Sequence, residues 1–425
     1  MSSTPEAATD EKVTIGAVLK DPYVGPIIGL VLVLLAGFGL VFPVLPLFAR
    51  SFGVGNDGAG LLLATFGFAR LFGDLIGGSI VDRKGERWSA VVGMAYLAVC
   101  ATATGAAPNF VMALVFWGMA GIGSAVVFAS LFSYILKAAR KDRIARTLSF
   151  FYGAFNIGVI AGGAVGGALG GEVSLEAPLY AYSIVLLLAI PLYLRFVPVI
   201  PDRRDAEPEI EPTAEAAISE APRPSGTLVR DFLRLPGFAT TLFLNLTYLW
   251  MVAAIFNTLV PLFASDELGM SPTGIGVMFS IGVAAEFLVL FPAGSMTDRY
   301  GRKAVMLPSL AGLVVMMVLL GVATSAVVLA LLLSVLALFS GFAGVPPAAM
   351  LSDIVPREHS GRAVGAFRFC SDIGFFLGPL IAGASSKAFG FQAAFAIAAV
   401  VPAIGFVFMA RTAETLRRDA SPATT

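Results

Sequence analysis

Five ionisable side chains interrupt long apolar stretches of this 425-residue sequence. They form two acid–base pairs with a spacing of four residues and one isolated acid: Arg70 with Asp74, Arg368 with Asp372, and Glu286. A charge is costly where water is scarce, so such residues are candidates for binding or moving protons and charged ligands. Residues four apart lie on one helix face, so each pair can also form within its own helix.

Glu286 differs from the others because no Lys, Arg or His lies three or four residues away from it. An unpartnered carboxyl group at low dielectric favours its neutral form, and water that enters on one side would restore its charge. That alternation is what a proton carrier needs. The alternatives are a salt bridge to Arg70 or Arg368, a hydrogen bond to Asn156 or another polar group, and direct binding of a cationic substrate.

Membrane helices are the elements expected to position these groups. Hydrophobic residues make up 57% of the chain and charged residues 13%, whereas about a quarter of the residues of a soluble domain are charged. A helix needs about 20 mostly apolar residues to cross a bilayer. We therefore predict spans 1 to 12 at residues 26–48, 58–81, 89–107, 109–136, 147–171, 178–197, 238–264, 272–296, 304–323, 326–351, 363–386 and 391–411.

The segment 198–237 separates two groups of six spans. It is rich in Pro, Glu and Ala and has too little apolar surface to fold, so we predict a solvated linker. The bundles then cover residues 26–197 and 238–411, with tails at 1–25 and 412–425. Most of the 28 Lys and Arg residues lie in one set of loops, in the linker and in the tails. By the positive-inside rule these parts, including both termini, are cytoplasmic.

A charged loop motif, G-x-x-x-D-R-x-G, occurs twice with an offset of 216 residues. Its residues are Gly78, Asp82, Arg83, Gly85 and Arg87 in the first copy, and Gly294, Asp298, Arg299, Gly301 and Arg302 in the second. Glycines recur at the same offset, for example Gly158 and Gly374. The chain is therefore predicted to contain two parallel six-helix repeats, which are typical of secondary transporters and favour an alternating-access mechanism.

Glycine spacing in span 5 predicts close helix packing. Gly158, Gly162, Gly166 and Gly170 fall every fourth residue, so they share one helix face. A neighbouring backbone can approach such a face closely. A second interpretation, compatible with the first, is that bare helix faces slide past one another as the two halves rock.

The doubled loop motif and the segment GFGLVFPVLP at 37–46 resemble the major facilitator superfamily, in particular its 12-span drug:proton antiporters. The resemblance covers nearly the whole chain. Two positions depart from the antiporter pattern: Gly163 stands where the fifth-span signature has proline, and Trp117 precedes Gly121 where exporters often carry a membrane arginine. These departures keep open an importer or a lipid-handling transporter of the same fold.

The resemblance implies a role for the loop motif. Asp82 would face the start of span 11 near Gly361 and Arg362, and Asp298 would face the start of span 5 near Arg146. A carboxylate at a helix N-terminus contributes roughly 0.3–1 kcal/mol when exposed. We interpret the motif as a latch that favours the outward-open state.

The resemblance also implies that spans 2 and 11 face each other. The depths of their charges match crosswise, which is compatible with Arg70 pairing with Asp372 and Asp74 with Arg368. Pairing within each helix remains an equal alternative. Asp74 and Asp372 are, after Glu286, the next candidates for proton coupling.

Six side chains are candidates for lining a central cavity: Trp117, Asn156, Asn245, Tyr248, Trp250 and Asn257. Because spans 1 and 4 carry no charge, the cavity suits an amphipathic or lipophilic solute better than a sugar or amino acid. We therefore expect a monomeric, proton-coupled exporter of such small molecules in the cell membrane. The sequence has no Cys/His cluster, no nucleophile with a base and no nucleotide-binding loop, so we expect no enzymatic activity, metal, cofactor or nucleic-acid partner.

Overall fold

The computed structural model describes residues 21–139, 144–200, 234–355 and 360–416. These residues form helices joined by short turns, and none of them lies in a strand. Ten helices are long and apolar enough to cross a membrane, and the bent helix Asn56–Lys84 makes eleven. The last helix, Ser360–Arg411, breaks at Gly390, where φ is 80°, and so holds two spans. The described residues thus supply twelve crossings, which confirms the predicted all-helical membrane fold.

The helices divide into two sets of six. Spans 1 to 6 are Val24–Arg50, Asn56–Lys84, Glu86–Gly105, Phe110–Ala138, Ile144–Glu172 and Ala177–Phe196. Spans 7 to 10 are Phe238–Asp266, Pro272–Tyr300, Arg302–Leu320 and Ala326–Ile354, and spans 11 and 12 lie on either side of Gly390. Residues 201–233 of the predicted linker, and most of both tails, lie outside the described residues.

The glycine face of span 5 packs against span 1 within the first half. A Cβ atom added to Gly162 would lie 2.9 Å from the Cα atom of Gly39. In the second half, a Cβ atom on Gly378 of span 11 would lie 3.0 Å from the carbonyl oxygen of Trp250 in span 7. A larger side chain would force the backbones apart, so the predicted close packing is confirmed. Most of this face contacts span 1 of the same half, and Gly170 lies near both Val44 of span 1 and Pro272 of span 8. The sliding of helix faces stays a prediction.

The two halves meet through a different set of glycines, again repeated with the 216-residue offset. A Cβ atom on Gly383 would lie 2.9 Å from the Cα atom of Gly60, and one on Gly167 would lie 2.7 Å from the Cα atom of Gly276. Both contacts lie away from the loop motifs. We call this the opposite end of the bundle, and the end that carries Asp82 and Asp298 the motif end.

Two ion pairs also join the halves at the opposite end. Arg50 pairs with Asp266, which occupies the same position 216 residues later in the second repeat. Lys387 Nζ lies 2.8 Å from Asp57 Oδ2. The basic residues of this end therefore both bridge the two halves.

The motif end is packed less closely. A Cβ atom added to Gly78, Gly153 or Gly294 would meet no heavy atom within 4 Å in the described part of the chain. The halves are thus joined at the opposite end and apart at these positions of the motif end.

In each half an ion pair links two helices at the motif end. The acid and the base are exchanged between the two pairs. In the first half Glu86 pairs with Lys137 and accepts a hydrogen bond of 3.1 Å from Ser133 Oγ. In the second half the same repeat positions hold Arg302 and Asp353, with Arg302 Nε 3.0 Å from Asp353 Oδ2. Glu86 stands where the second repeat has Arg302, and the link is kept because its partner has changed sign as well.

A second repeated contact neutralises helix C-termini. Arg87 Nη2 donates to the carbonyl oxygen of Leu194, and Lys303 Nζ donates to that of Ala410, both at 2.7 Å. Leu194 and Ala410 lie in the last turns of spans 6 and 12. Cations are favourable there because the last carbonyl groups of a helix carry partial negative charge.

Glu414, just after span 12, caps the start of span 9. Its carboxylate accepts hydrogen bonds from the backbone N–H groups of Arg302 at 2.9 Å and Lys303 at 3.0 Å. It also accepts from the N–H groups of Thr415 and Leu416. Desolvation opposes ionisation of Glu414, but these N–H groups outweigh it and hold its pKa below the ordinary value of 4.5.

We expect Glu414→Gln to destabilise the protein by about 0.5–1 kcal/mol near neutral pH, since it weakens a cap whose carboxylate is exposed. A lowered pKa contributes stability above the unfolded value of 4.5 that is lost as the pH falls through the folded value. The difference in Tm between variant and wild type should therefore shrink as the pH falls from about 7 towards 4. Glu267→Gln, which changes an exposed carboxylate at the opposite end, serves as the control. A constant difference across this range would contradict the capping role.

Candidate functional site

Four ionisable side chains from spans 2 and 11 meet between the halves, and we call them the charge quartet. Arg70 Nε lies 3.5 Å from Asp372 Oδ1 and 4.0 Å from Asp74 Oδ2. Arg368 Nη2 lies 3.6 Å from Asp74 Oδ2. The structure therefore contains both crosswise pairs and, in span 2, the intrahelical pair as well.

The quartet is partly buried, with Asp372 the most enclosed of the four, and its ion pairs are long. The exposed fractions of the side chains are 22% for Arg70, 18% for Asp74, 24% for Arg368 and 7% for Asp372. Arg70 Nε and Asp74 Oδ2 are buried without a hydrogen bond in the described part of the chain, so the pairs are ionic contacts rather than hydrogen bonds. Two cations and two anions balance one another, which limits the cost of burying them.

The quartet lies directly on the motif-end side of the close contact between spans 2 and 11. A Cβ atom on Gly67 would lie 3.0 Å from the backbone nitrogen of Phe376. Arg70 follows Gly67 by three residues, or about 5 Å along the helix. The charges therefore sit at the level where the two halves begin to separate.

Glu286 occupies the position in span 8 that Arg70 occupies in span 2, again with the 216-residue offset. Span 8 exposes Val277, Ile281 and Leu288 on one side. Residue 286 lies about 200° around the helix from residue 288, so its side chain points inward. Glu286 is accordingly only 8% exposed.

Tyr248 is the hydrogen-bond partner of Glu286. The Tyr248 hydroxyl, from span 7, donates to Glu286 Oε1 at 2.7 Å. The buried hydroxyl of Ser340 faces the same carboxyl group, although without a hydrogen bond of normal geometry. No Lys, Arg or His of the described ranges pairs with Glu286. The sequence left open a salt bridge, a hydrogen bond to Asn156 or another polar group, or direct binding of a cationic substrate. In this conformation Glu286 has a hydrogen bond to a polar group other than Asn156, namely Tyr248.

Asn156 and the two tryptophans bond or pack within the bundles. Asn156 Nδ2 donates to the carbonyl oxygen of Tyr152 at 2.9 Å. Trp250 is 4% exposed, and its indole N–H donates to the carbonyl oxygen of Ala398 at 3.0 Å. Trp117 is 1% exposed and stacks on Phe66 with 5.1 Å between the ring centroids.

The remaining cavity candidates behave similarly. Asn245 Nδ2 donates to the carbonyl oxygen of Phe367 at 2.7 Å. Asn257 is buried in the π-helical segment Val252–Leu259 of span 7. Of the six cavity candidates, Tyr248 is thus the one whose described contacts include a candidate for proton coupling, Glu286.

The aspartates of both loop motifs are exposed at the motif end, whereas Gly301 and Arg302 are buried. Asp82 is exposed and has no partner among the residues that the structure describes. The side chains of Arg362 and Arg146, which the resemblance sets opposite the two acids, are not among those that the structure describes. Asp298 instead contacts its own half, 3.0 Å from Arg302 Nη1.

The other motif residues turn the chain and contact nearby groups. Gly85 and Gly301 have φ values of 80° and 105°, a region that side chains other than glycine rarely adopt. Each lets the chain turn from one span directly into the next. Arg83 is exposed, and the Arg299 guanidinium lies 5.4 Å from the ring centroid of Tyr300.

Three features of these sites were not predicted from the sequence. Phe128, which contacts both arginines of the quartet, has no local pattern that marks it. The bond between Tyr248 and Glu286 joins two spans and depends on their relative rotation. The reversed pairs of Glu86 and Arg302 could have been found by applying the 216-residue offset to Lys137 and Asp353.

Comparisons with known proteins agree with this architecture. Residues 27–267 and 242–424 match the model of the Major Facilitator Superfamily. The quinolone resistance protein NorA of Staphylococcus aureus is 25% identical over 82% of this chain and 86% of its own length. The multidrug resistance protein MdtG of Citrobacter koseri is 32% identical over 38% of this chain and 43% of its own.

Solved structures share the fold. A bacterial homologue of the human lysosomal transporter Spinster, in an inward-facing and occupied conformation, superposes with a TM-score of 0.76 at 15% identity, covering 92% of this chain and 98% of that chain. Two six-helix repeats carry matching glycine contacts, and the family match extends over nearly the whole chain. This chain is therefore a multi-pass membrane transporter that belongs to the Major Facilitator Superfamily.

Proposed function

We propose that this transporter exports lipophilic or amphipathic small molecules from the cell in exchange for protons, by alternating access. The observation that carries the proposal is Glu286, a buried acid that has a tyrosine hydroxyl and no cation as its partner in the described structure. Such a group can be neutral when shielded and ionised when water reaches it. The likeness to NorA and MdtG, which are named for quinolone and multidrug resistance, supports this substrate class and direction.

The packing of the two halves supports alternating access. The motif end carries most of the basic loop residues, so we assign it to the cytoplasm. The halves are joined at the opposite end and apart at the loop-motif glycines, which corresponds to an inward-facing state.

Glu286 lies on the open side of the contact between spans 5 and 8. Ser280 Oγ donates to the carbonyl oxygen of Ile160 at 2.6 Å across the two halves. Glu286 follows Ser280 by six residues, about 9 Å nearer the motif end. We expect a proton on Glu286 to exchange with the cytoplasm when water enters from the motif end in this state, and with the outside once the halves rock.

The first test replaces Glu286 with Gln, which keeps the size and a hydrogen-bond acceptor but removes the ionisable proton. We expect uphill, proton-driven transport of a lipophilic dye such as ethidium to be abolished in proteoliposomes under an imposed pH gradient. Exchange of the dye down its own gradient should remain measurable. Glu172→Gln, at an exposed carboxylate, controls for loss of a negative charge.

Full proton-driven transport by the Glu286→Gln variant would show that the coupling residue lies elsewhere, with Asp74 or Asp372 next in line. Dye accumulation in the direction of proton movement would instead indicate import and would overturn the exporter assignment.

The second test concerns the latch formed by the loop motif. Asp82→Asn should lower transport while the protein stays folded, because it removes an attraction that forms in the outward-open state. An interaction of about 0.3–1 kcal/mol corresponds to a roughly two- to fivefold smaller outward-open population. Spin labels at Trp88 and Ala304, exposed repeat mates on the two halves at the motif end, would measure it in a cysteine-free background. Unchanged distances with full activity would rule the latch out, and Lys84→Gln in the same loop is the control.

The third test concerns the crosswise pairs of the charge quartet. Arg70→Asp or Asp372→Arg alone leaves a buried charge without its partner, which typically costs about 3–5 kcal/mol. We therefore expect each single variant to lose activity and the double variant to recover part of it. The measurement is transport by the three variants at equal amounts of folded protein. A double variant no better than the singles would mean that the crosswise contact contributes nothing to transport.

A further inference from the structure

Phe128, in span 4, contacts the guanidinium groups of both arginines of the charge quartet. The Cζ atom of Arg368 lies 4.6 Å from the ring centroid, and that of Arg70 lies 5.9 Å from it. Both distances fall within the roughly 6 Å over which the face of an aromatic ring attracts a cation. We propose that Phe128 is a positioning residue that holds the two guanidinium groups for their carboxylate partners and thereby stabilises this conformation of the transporter.

The ion pairs by themselves hold the two guanidinium groups only loosely. Their closest atoms are 3.5, 3.6 and 4.0 Å apart, and Arg70 Nε is buried without a hydrogen bond among the described residues. A planar guanidinium can stack on a ring while its edge stays directed at carboxylates. The ring thus supplies an attraction to each guanidinium in addition to that of the carboxylates.

Phe128 is itself held by an aromatic group of the first half. Its ring is nearly parallel to that of Phe132, with 5.8 Å between the centroids and an angle of 11°. Phe151 of span 5 lies edge-on to both, at 6.5 and 6.0 Å. The ring is therefore a rigid part of the first half.

The contact with Arg368 crosses between the halves, because Phe128 lies in span 4 and Arg368 in span 11. Movement of one half against the other must change this contact, whereas the contact with Arg70 stays within one half. The strength of the ring–cation attraction therefore biases the equilibrium between conformations. This inference rests on the proposed alternating access, and it assigns the bias to a residue that carries no charge.

Fluorination tests the ring without changing its shape. Fluorine atoms withdraw electrons from the ring face, so mono-, di- and trifluorophenylalanine at position 128 should weaken the attraction step by step. We expect the distance distribution of the Trp88–Ala304 label pair to shift progressively away from the inward-facing state. Loss of the full attraction should change the ratio of the two states by about two- to tenfold.

Two substitutions and one control position complete the experiment. Phe128→Leu should shift the equilibrium as trifluorophenylalanine does, and Phe128→Tyr, which keeps an aromatic face, should restore the wild-type distribution. Trifluorophenylalanine at Phe132, one turn away and 2% exposed, should leave the distribution unchanged, since its ring has no guanidinium contact among the described residues. If the label distances stay unchanged across the fluorinated series at Phe128 and shift only in Phe128→Leu, then Phe128 acts through packing alone. That result would overturn the proposal.

The inference and the proposed function fail in different ways. If the wild-type protein moves no dye under a pH gradient but the fluorinated series shifts the distances, the exporter assignment falls and the role of Phe128 stands. If the wild-type protein transports dye and the series leaves distances and rates unchanged, the role of Phe128 falls and the exporter assignment stands.

Discussion

A charge inside a bilayer must be paired, hydrogen-bonded or neutralised, because the surroundings cannot solvate it. The ionisable side chains inside this transporter are arranged in a way that meets this requirement. The four charges of spans 2 and 11 balance one another across the two halves, and the fifth group, Glu286, has a tyrosine hydroxyl as its partner. The first arrangement keeps its charges by mutual compensation, whereas the second suits a group that gains and loses a proton. One constraint is thus met in two ways, by charge balance between the halves and by a neutral hydrogen-bond partner.

The two-fold repeat explains why these arrangements lie in equivalent places. Backbone contacts are kept in both copies, as between Gly60 and Gly383 and between Gly276 and Gly167. The ionisable positions have diverged, since Glu286 is the repeat mate of Arg70. Glycine contacts depend only on backbone shape, which both interfaces between the halves require. A charge depends on its partner, so the first repeat can hold an arginine that pairs across the halves while the second holds an acid bonded to a tyrosine of its own half.

The motif end shows the same separation between scaffold and chemistry. The pair of Glu86 and Lys137 and the pair of Arg302 and Asp353 make the same link with reversed sign. An ion pair fastens two helices whichever side carries the cation, so the reversal leaves the packing intact. The second half adds Glu414, which caps the start of span 9 beside Arg302. An arginine at a helix N-terminus meets partial positive charge, and a nearby carboxylate offsets it.

The sequence by itself determined the all-helical fold, the twelve crossings and the repeat, because hydropathy and offset are properties of a linear chain. It also predicted that Arg70 and Asp372 lie at the same depth in the membrane, because the rise per residue of a helix converts residue number into distance along the helix axis. Tertiary structure alone decided which groups meet at that depth. The bond from Tyr248 to Glu286 and the placement of Phe128 beside two arginines depend on the rotation and tilt of several helices at once. Those angles come from the packing of all neighbouring side chains, which no local pattern encodes.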